Sequence, residues 1–497
     1  MPIRNVLFVT LDQFRGECLS AAGHPLVRTP TLDGLATEGV RFARHYSQAA
    51  PCAPGRASLY TGMYQMNHRV VANGSPLDRR FDNVALAARR AGYRPALFGY
   101  TDQAIDPREA RGPRDPLLFT WEGVLPGFDV VVKLADDEVP WVEWLGRLGH
   151  DTSSGAHGLL ATEHERPAEH SVSAFLTDHA VDWLRRQDEP WFAHLSYLRP
   201  HPPYSAAGHW GSRYDPADVE LPIPAPADLD RYHEAVLGVK EAAAPADQGG
   251  VRRLRAQYYG MISEVDDQFG RVLGELRALG MWEDTLVVVT ADHGEMLGDH
   301  GLKEKLGYWE QSYHVLGIVR DPTRPAAHGT VVDAFTENVD VMPTICDTLG
   351  LPVPAQCDGL PLTPFLDGAV PERWRTAAHW EYDWRGELIG RVGHDWPWDR
   401  TLERQHLAVL RAEHAAYVQF GNGSWRCFDL AGDPTWRTVI DDPAVVLPLA
   451  QEMLTWRSRH TDRTLADMLV HDGGIGRWPS LPAGWRARQA ATAPTPR

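Results

Sequence analysis

Four apolar runs, each stopping abruptly at polar residues, punctuate the chain. Val6-Leu7-Phe8-Val9-Thr10-Leu11 ends at Asp12-Gln13, and residues 95–100 end at Tyr100. Residues 191–197 lead into Arg199-Pro200-His201, and residues 285–291 into Asp292-His293-Gly294-Glu295. Continuous runs of this length are what strands buried on both faces of a parallel sheet look like. Between them the period changes to that of a helix. Leu32, Leu35 and Ala36 share one face, with Gly39 placed as a C-cap, and a helix over about 83–91 closes at Gly92. Residues 171–184 read as helix. Tyr259, Ile262, Val265, Phe269, Val272, Leu276 and Leu279 mark one face of a long amphipathic helix that Gly280 ends. The alternation predicts an α/β fold, a mostly parallel sheet flanked by helices.

Ligands of such sheets gather outside the carboxyl ends of the strands. Asp12, Tyr100, His201, Asp292 and His293 all fall there, so one sheet edge is expected to collect two carboxylates and two imidazoles. Taken singly, an Asp after a strand reads as a turn former and a His between prolines as a rigid loop. Convergence of all five on one edge favours a site.

Elsewhere the pattern is weaker. Residues 66–69 and Asn73-Gly74 read as a polar loop, residues 110–169 as a loop-rich insertion over the site, and the stretch up to Gly250 as a Pro- and Ala-rich excursion. Beyond about Glu372 short strands at 407–410, 416–420 and 425–430 are separated by turn signals such as Gly421-Asn422-Gly423. With a helix over about 444–459 they predict a smaller C-terminal α+β subdomain, an antiparallel meander covered by one helix. The expected division is 1–371 and 372–497. Trp374, Trp380, Trp384, Trp396 and Trp398 read as core and interdomain packing, with an aromatic wall beside the substrate as the alternative. The tail after Arg477 reads as disordered or as an arm reaching a second copy in a homo-oligomer.

Composition narrows the function. A chain of 497 residues exceeds what one core usually organises. A net charge of -17 argues against a nucleic-acid partner and obliges any anion site to gather its cations locally. Five widely spread cysteines show no disulfide framework or zinc spacing. With no signal peptide and no apolar segment of membrane-spanning length, no membrane association and a cytoplasmic location are expected.

One stretch, Ala50-Pro51-Cys52-Ala53-Pro54-Gly55-Arg56 followed by Ala57-Ser58-Leu59-Tyr60-Thr61-Gly62, sets a lone thiol beside an arginine. Pro54 suits a first helical turn, so a helix is expected from about Gly55 towards Gly62. Its positive end would face Cys52, favouring anions and a lowered thiol pKa. Arg56 adds a fork suited to sulfate or phosphate oxygens. A Cys in a Pro-rich turn is the plainer alternative.

The same residues spell C-x-P-x-R, and here the chain resembles the sulfatases and the phosphonate monoester hydrolases of the alkaline-phosphatase-like superfamily. The likeness extends from Asn5 to about Gly368, with Phe428-Asp429-Leu430 as an echo beyond. It implies that a formylglycine-generating enzyme converts Cys52 to formylglycine (3-oxoalanine), whose hydrated diol attacks sulfur or phosphorus and later expels the bound group by C–O cleavage. It also implies that Asp12, Gln13, Asp292, His293 and the oxygen of modified Cys52 hold one divalent metal ion. Gln13 and His293 stand where many sulfatases have Asp and Asn, which is similar to the phosphonate monoester hydrolases, as are 66–69, 99–101 and 199–203. Asn73, Tyr100, His201 and Lys305 match positions lining the anion site or assisting the leaving group there, although a solvated charged loop is the ordinary reading of Lys305. Whatever the family, a ligand set of mostly hard atoms fits calcium, magnesium or manganese, and the imidazole tilts it towards manganese.

The expected activity is hydrolysis of phosphonate monoesters, phosphodiesters and sulfate esters. A dedicated sulfatase, including one for a cationic alcohol, is the nearer alternative, and a silent binding protein the more distant one. Asp102 stands where these relatives carry Thr. Its carboxylate is expected to disfavour dianionic esters, unless it caps the turn to Gln103 or pairs with Arg108.

Overall fold

The structure is a computed structural model that describes residues 3–120, 122–135, 137–384 and 405–461. Its strands are β1 (Asn5–Leu11), β2 (Val40–Tyr46), β3 (Ala96–Gly99), β4 (Asp129–Lys133), β5 (Phe192–Tyr197), β6 (Thr285–Thr290), β7 (His314–Val315), β8 (Gly317–Arg320) and β9 (Thr330–Glu337). A second group follows: β10 (Ala377–Asp383), β11 (His406–Ala412), β12 (Ala415–Phe420) and β13 (Trp425–Asp429).

The first nine form one sheet in the order β4-β3-β5-β1-β6-β8-β2-β7, with β9 beside β2. From β4 to β6 every pairing is parallel, whereas β8 runs antiparallel to both β6 and β2. Alternation along β1 shows why the central strands are apolar throughout. Leu7, Val9 and Leu11 pack with the helices Pro30–Thr37, Val172–Leu184 and Gln248–Ala278, while Val6 and Phe8 face the helices Cys52–Thr61, Val84–Arg90 and Val341–Thr348 on the other side. Each of these faces burying an Ile, Leu, Val or Phe side chain contributes about 1.5–3 kcal/mol per residue before entropy is set against it.

Several local expectations needed correction. The Cys52 helix starts at Cys52 itself, three residues earlier than Gly55. Residues 65–68 form one buried helical turn, because Asn67 and His68 are drawn inward by hydrogen bonds to Asp358 and Ser58. Gly39 is no C-cap; a Cβ there would come within 2.7 Å of the Val319 carbonyl oxygen, so the glycine admits close strand packing. The 110–169 stretch supplies β4 to the sheet edge and the helices Val139–Arg147 and Gly155–Ala161, whose Trp141, Leu145 and Leu159 join the core. Gly250 already lies inside the long helix, which begins at Gln248 behind an Asp247 cap.

The four C-terminal strands make an antiparallel sheet in the order β10-β11-β12-β13. One face takes Val446, Met453 and Trp456 of the helix Pro443–His460. Its other face, with Trp380, Trp384, Phe420 and Phe428, packs on Leu302, Leu306, Tyr308 and Trp309. These tryptophans therefore pack the core, as does Trp374 against Phe365, and they brace the loop that carries Lys305. Trp396, Trp398 and the tail after Arg477 lie outside the described residues. Among the described residues no helix is long and apolar enough to cross a membrane.

The buried imidazoles make acid sensitivity a property of the fold. His68 accepts a hydrogen bond from the Val70 N–H, and His194, stacked on Phe8, accepts one from the Tyr60 hydroxyl. Burial pushes both down to about 3. Depressed folded-state values mean the stabilisation is complete above the unfolded value of about 6.5 and is lost as the pH falls towards 3. At pH 5 each costs about 2 kcal/mol relative to pH 7. The change in urea unfolding midpoint between pH 7 and pH 5 should therefore shift in His68→Gln relative to the parent by the loss of that penalty; an identical change in both would contradict the neutral buried state.

Candidate active site

Asp12 follows β1, Tyr100 follows β3, His201 lies beyond β5 and Asp292 follows β6, so the parallel register delivers all four to one edge of the sheet. Cys52 arrives there as the first residue of its helix, which can approach because position 55 is glycine. A Cβ at Gly55 would lie 2.5 Å from the Asp292 carbonyl oxygen. The helix also receives a side-chain cap, since Asn73 Oδ1 accepts from Ala53 N at 3.0 Å.

One ligating atom from each of Asp12, Cys52, Asp292 and His293 lies within 4.8 Å of the others, and all four residues are buried. Asp12 Oδ1 has no hydrogen-bond partner, an uncommon state for a buried carboxylate oxygen. Asp292 Oδ1 accepts from the backbone N–H groups of Gln13 and His293. The His293 Nδ1–H donates to the Gly294 carbonyl at 3.0 Å, leaving Nε2 with its lone pair turned to the cluster. Burial, aided by Lys305, lowers His293 to about 3, which keeps the ring neutral. Orphaned oxygen, neutral imidazole and paired carboxylates fit a divalent metal ion.

Arg56 lies behind this cluster. Its Nε and Nη2 each donate to a carboxylate at 2.9 Å, Asp292 and Asp12 respectively, and its Nη1 reaches Ser196 Oγ, Tyr60 and the Tyr100 carbonyl. Fully buried over the Tyr100 ring, the guanidinium clamps the two aspartates together and does not offer its fork to an external anion, contrary to the expectation from spacing alone. The Tyr100 hydroxyl donates to Asp12 Oδ2, so it too orients a carboxylate. Burial opposes ionisation of Asp12, yet the Arg56 guanidinium and the Lys305 ammonium override it and hold the carboxyl far below the usual range. Asp292 goes the other way: burial, then the charge of Asp12, push it up to about 7.

Lys305 meets three site residues at once. Its Nζ lies 2.8 Å from Gln13 Oε1, 3.0 Å from His201 Nε2 and 3.3 Å from Cys52 Sγ. Burial favours the neutral amine, but the carboxylates of Glu304, Asp12 and Asp292 outweigh it and keep the ammonium. His201 donates from Nδ1 to the Pro202 carbonyl, which leaves Nε2 to accept from Lys305. Burial, then Lys305, lowers His201 to about 4.

Cys52 departs from the expected lowered pKa. Burial raises the thiol well above its usual value, and Asp12 and Asp292 add to this more than Lys305 removes. The helix end is outweighed by two carboxylates from distant strands, so the thiol stays protonated and is a poor nucleophile as it stands. Asp102 is also buried, its φ of 52 lying in the left-handed region. Arg108 pairs with Asp106 and Asp78 and so is not its partner. No hydrogen bond to the Asp102 carboxyl is found among the described residues, and burial raises it to about 8.

Residues that spacing did not single out complete the site. Arg199, fully buried against Glu163, donates to the carbonyls of His201 and Pro203 and so fixes the His201 loop. Ser196 holds Arg56, and Glu295, itself held by the Tyr204 hydroxyl, meets Gln13 from behind. Arg199 and Glu295 carried a signal, their places in the polar runs after β5 and β6.

Comparisons with known proteins bear on this arrangement. The family model described as Sulfatase matches residues 4–351, and that described as N-sulphoglucosamine sulphohydrolase, C-terminal, matches 298–455. The multifunctional alkaline phosphatase superfamily protein PehA of Trinickia caryophylli is 36% identical, over 94% of this chain and 97% of its own. The crystal structure of the phosphonate monoester hydrolase of Agrobacterium radiobacter has a TM-score of 0.87 at 41% identity, covering 96% of this chain and 100% of that one. The phosphonate monoester hydrolase of Silicibacter pomeroyi has a TM-score of 0.83 at 35% identity, covering 95% and 99%.

Proposed function

Since the chain belongs to the sulfatase family and is a hydrolase acting on ester bonds, we propose that it cleaves phosphonate monoesters and phosphodiesters, and sulfate esters beside them, with formylglycine at position 52. The observation that carries this reading is the pairing of Lys305 and His293 with Cys52 Sγ, each at 3.3 Å, around a thiol that burial keeps protonated. A sulfur in that state needs conversion before it can act, and the sulfur marks where the oxygen of the modified residue would sit. As formylglycine, position 52 would supply a diol that attacks phosphorus or sulfur with one hydroxyl and releases the product through the other. A divalent metal held by Asp12, Gln13, Asp292, His293 and that oxygen, manganese or calcium ahead of magnesium, would act as a Lewis acid and favour the deprotonated diol.

The chain's own residues do the rest. Arg56 and Tyr100 hold Asp12 and Asp292 in place, and Asn73, its Oδ1 fixed by the Ala53 N–H beside Cys52, would offer its Nδ2 donor to an ester oxygen. Lys305 stays charged and opposes the negative charge that gathers on the non-bridging oxygens. His201, neutral and accepting from Lys305 at Nε2, orients that ammonium towards the departing alkoxide. The chemistry needs no nucleic acid or membrane partner, and a cytoplasmic location remains the expectation for a chain of this composition. Side-by-side turnover of one aryl phosphonate monoester, one aryl phosphodiester and one aryl sulfate tests the assignment. Phosphorus esters should be turned over at least as fast as the sulfate; turnover of the sulfate alone would make it a dedicated sulfatase, and of none a binding protein.

Asp102 bears on charge preference. A group raised to about 8 is neutral below that pH and anionic above it. Discrimination against dianionic esters relative to cation-bearing ones should therefore grow between pH 7 and pH 9. An effect on the order of 1 to 2 kcal/mol, about tenfold in the kcat/KM ratio, is expected across the pocket. In Asp102→Thr the ratio should become independent of pH; a ratio that changes as in the parent enzyme would leave Asp102 without a part in selectivity.

A further inference from the structure

We infer that Glu295, braced by Tyr204, is a positioning residue that sets which end of the Gln13 amide faces the metal cluster. The inference rests on the reading of Asp12, Gln13, Asp292 and His293 as a metal site. Gln13 begins the turn after β1 with a φ of 66, its backbone tied at both ends: its N–H donates to Asp292 Oδ1 at 3.1 Å and its carbonyl accepts from the Tyr258 hydroxyl at 2.6 Å. Its side chain, however, is an amide, whose two ends differ chemically while having almost the same shape. Only the oxygen end can ligate a hard cation; the NH2 end would repel one.

Two neighbours impose the same orientation from opposite sides. Glu295, fully buried, receives the Gln13 Nε2 group on Oε2, where the Tyr204 hydroxyl also donates at 3.0 Å. Its Oε1 is filled by the backbone N–H groups of Leu297 and Glu304, both at 2.8 Å. Four donors thus surround one carboxylate, which has no freedom to rotate away. On the far side Lys305 Nζ, a donor only, meets Gln13 Oε1 at 2.8 Å. A carbonyl oxygen has two lone pairs, so Lys305 leaves one for a ligand role. An aspartate in place of Gln13 would need no such device, because its two oxygens are equivalent. The amide does need it, and Glu295 supplies it from the same loop that carries Asp292 and His293.

Metal titration of the chelator-stripped full chain with Mn2+, read by calorimetry, tests this. Glu295→Gln keeps the shape but can donate to Gln13, which allows the amide to turn its NH2 to the cluster. Mn2+ affinity is expected to fall about 10- to 100-fold. Gln13→Ala should lose a similar factor, and the double variant should bind no more weakly than Gln13→Ala alone, since Glu295 then has nothing to orient. Wild-type affinity in Glu295→Gln, or additive losses in the double variant, would overturn the inference. Should Glu295→Gln fail to fold, Tyr204→Phe decides, with a loss of about threefold expected and none contradicting it. If the parent chain takes up no divalent ion at all, the metal reading itself falls, and the inference with it.

Discussion

Cys52→Ala is expected to lower kcat/KM by at least about ten-thousand-fold, roughly 5 kcal/mol of transition-state stabilisation, while leaving the fold intact. The size of the loss follows from what is removed. Asp12, Gln13, Asp292, His293, Lys305 and His201 all survive the change, but the ligand from residue 52 is lost with the nucleophile and no group remains to form a covalent bond to phosphorus or sulfur. Stability should hold because the hydrogen-bond partners of Sγ among the described residues are Lys305 and His293, and the Ala53 N–H keeps its Asn73 cap. Thermal unfolding within a few degrees of the parent, alongside lost turnover, is the expected pair of results. Cys52→Ser sharpens it: a serine can attack once, but its ester cannot eject the bound group through a second hydroxyl. One product equivalent followed by a stall is expected. Steady turnover by Cys52→Ala would show that the nucleophile lies elsewhere.

Metal removal should have the second-largest effect, and Asp292→Asn shows how the chain stores charge for it. Two buried carboxylates share a single guanidinium, and the second resists ionisation, being raised to about 7. Without a bound cation the two carboxylates therefore repel one another across Arg56. Asp292→Asn relieves that repulsion, so the metal-free variant should be at least as stable as the metal-free parent. It should nevertheless bind Mn2+ at least about 100-fold more weakly, about 2.7 kcal/mol. Bound metal stabilises the folded state by mass action, so the parent's Tm should rise with added Mn2+ and the variant's much less. Elemental analysis after dialysis provides the check. Stoichiometric metal and full activity in Asp292→Asn, or in Asp12→Asn, would refute the ligand set.

The fold was legible where burial on both faces leaves an unbroken apolar run, as in β1 and β6. It was obscured where strands carry charge whose partner lies far along the chain. β2 interposes Arg41, Arg44 and His45 among its apolar residues, and its pairing with β9 is completed by the buried contacts of His45 with Thr336 and Asn338. β10 buries Glu381, which looks forbidden until Arg457 and His406 arrive beside it. Local periodicity contains neither fact.

The site divides in the same way. Asp12, Asp292 and His293 could be read because strand ends in a parallel sheet share an edge. The direction of the Arg56 fork could not, since the acceptors that saturate it come from β5 and from the segments that follow β1, β3 and β6. Cys52 illustrates the sharper failure: the helix end that should lower a thiol's pKa is a local feature, and the carboxylates that raise it are not.

The state of residue 52 decides the account. Enzyme co-produced with a formylglycine-generating enzyme and showing full activity should be digested and the peptide spanning Cys52 weighed. An aldehyde in place of the thiol, with activity proportional to the converted fraction, is the predicted result. An intact thiol throughout fully active protein would contradict it.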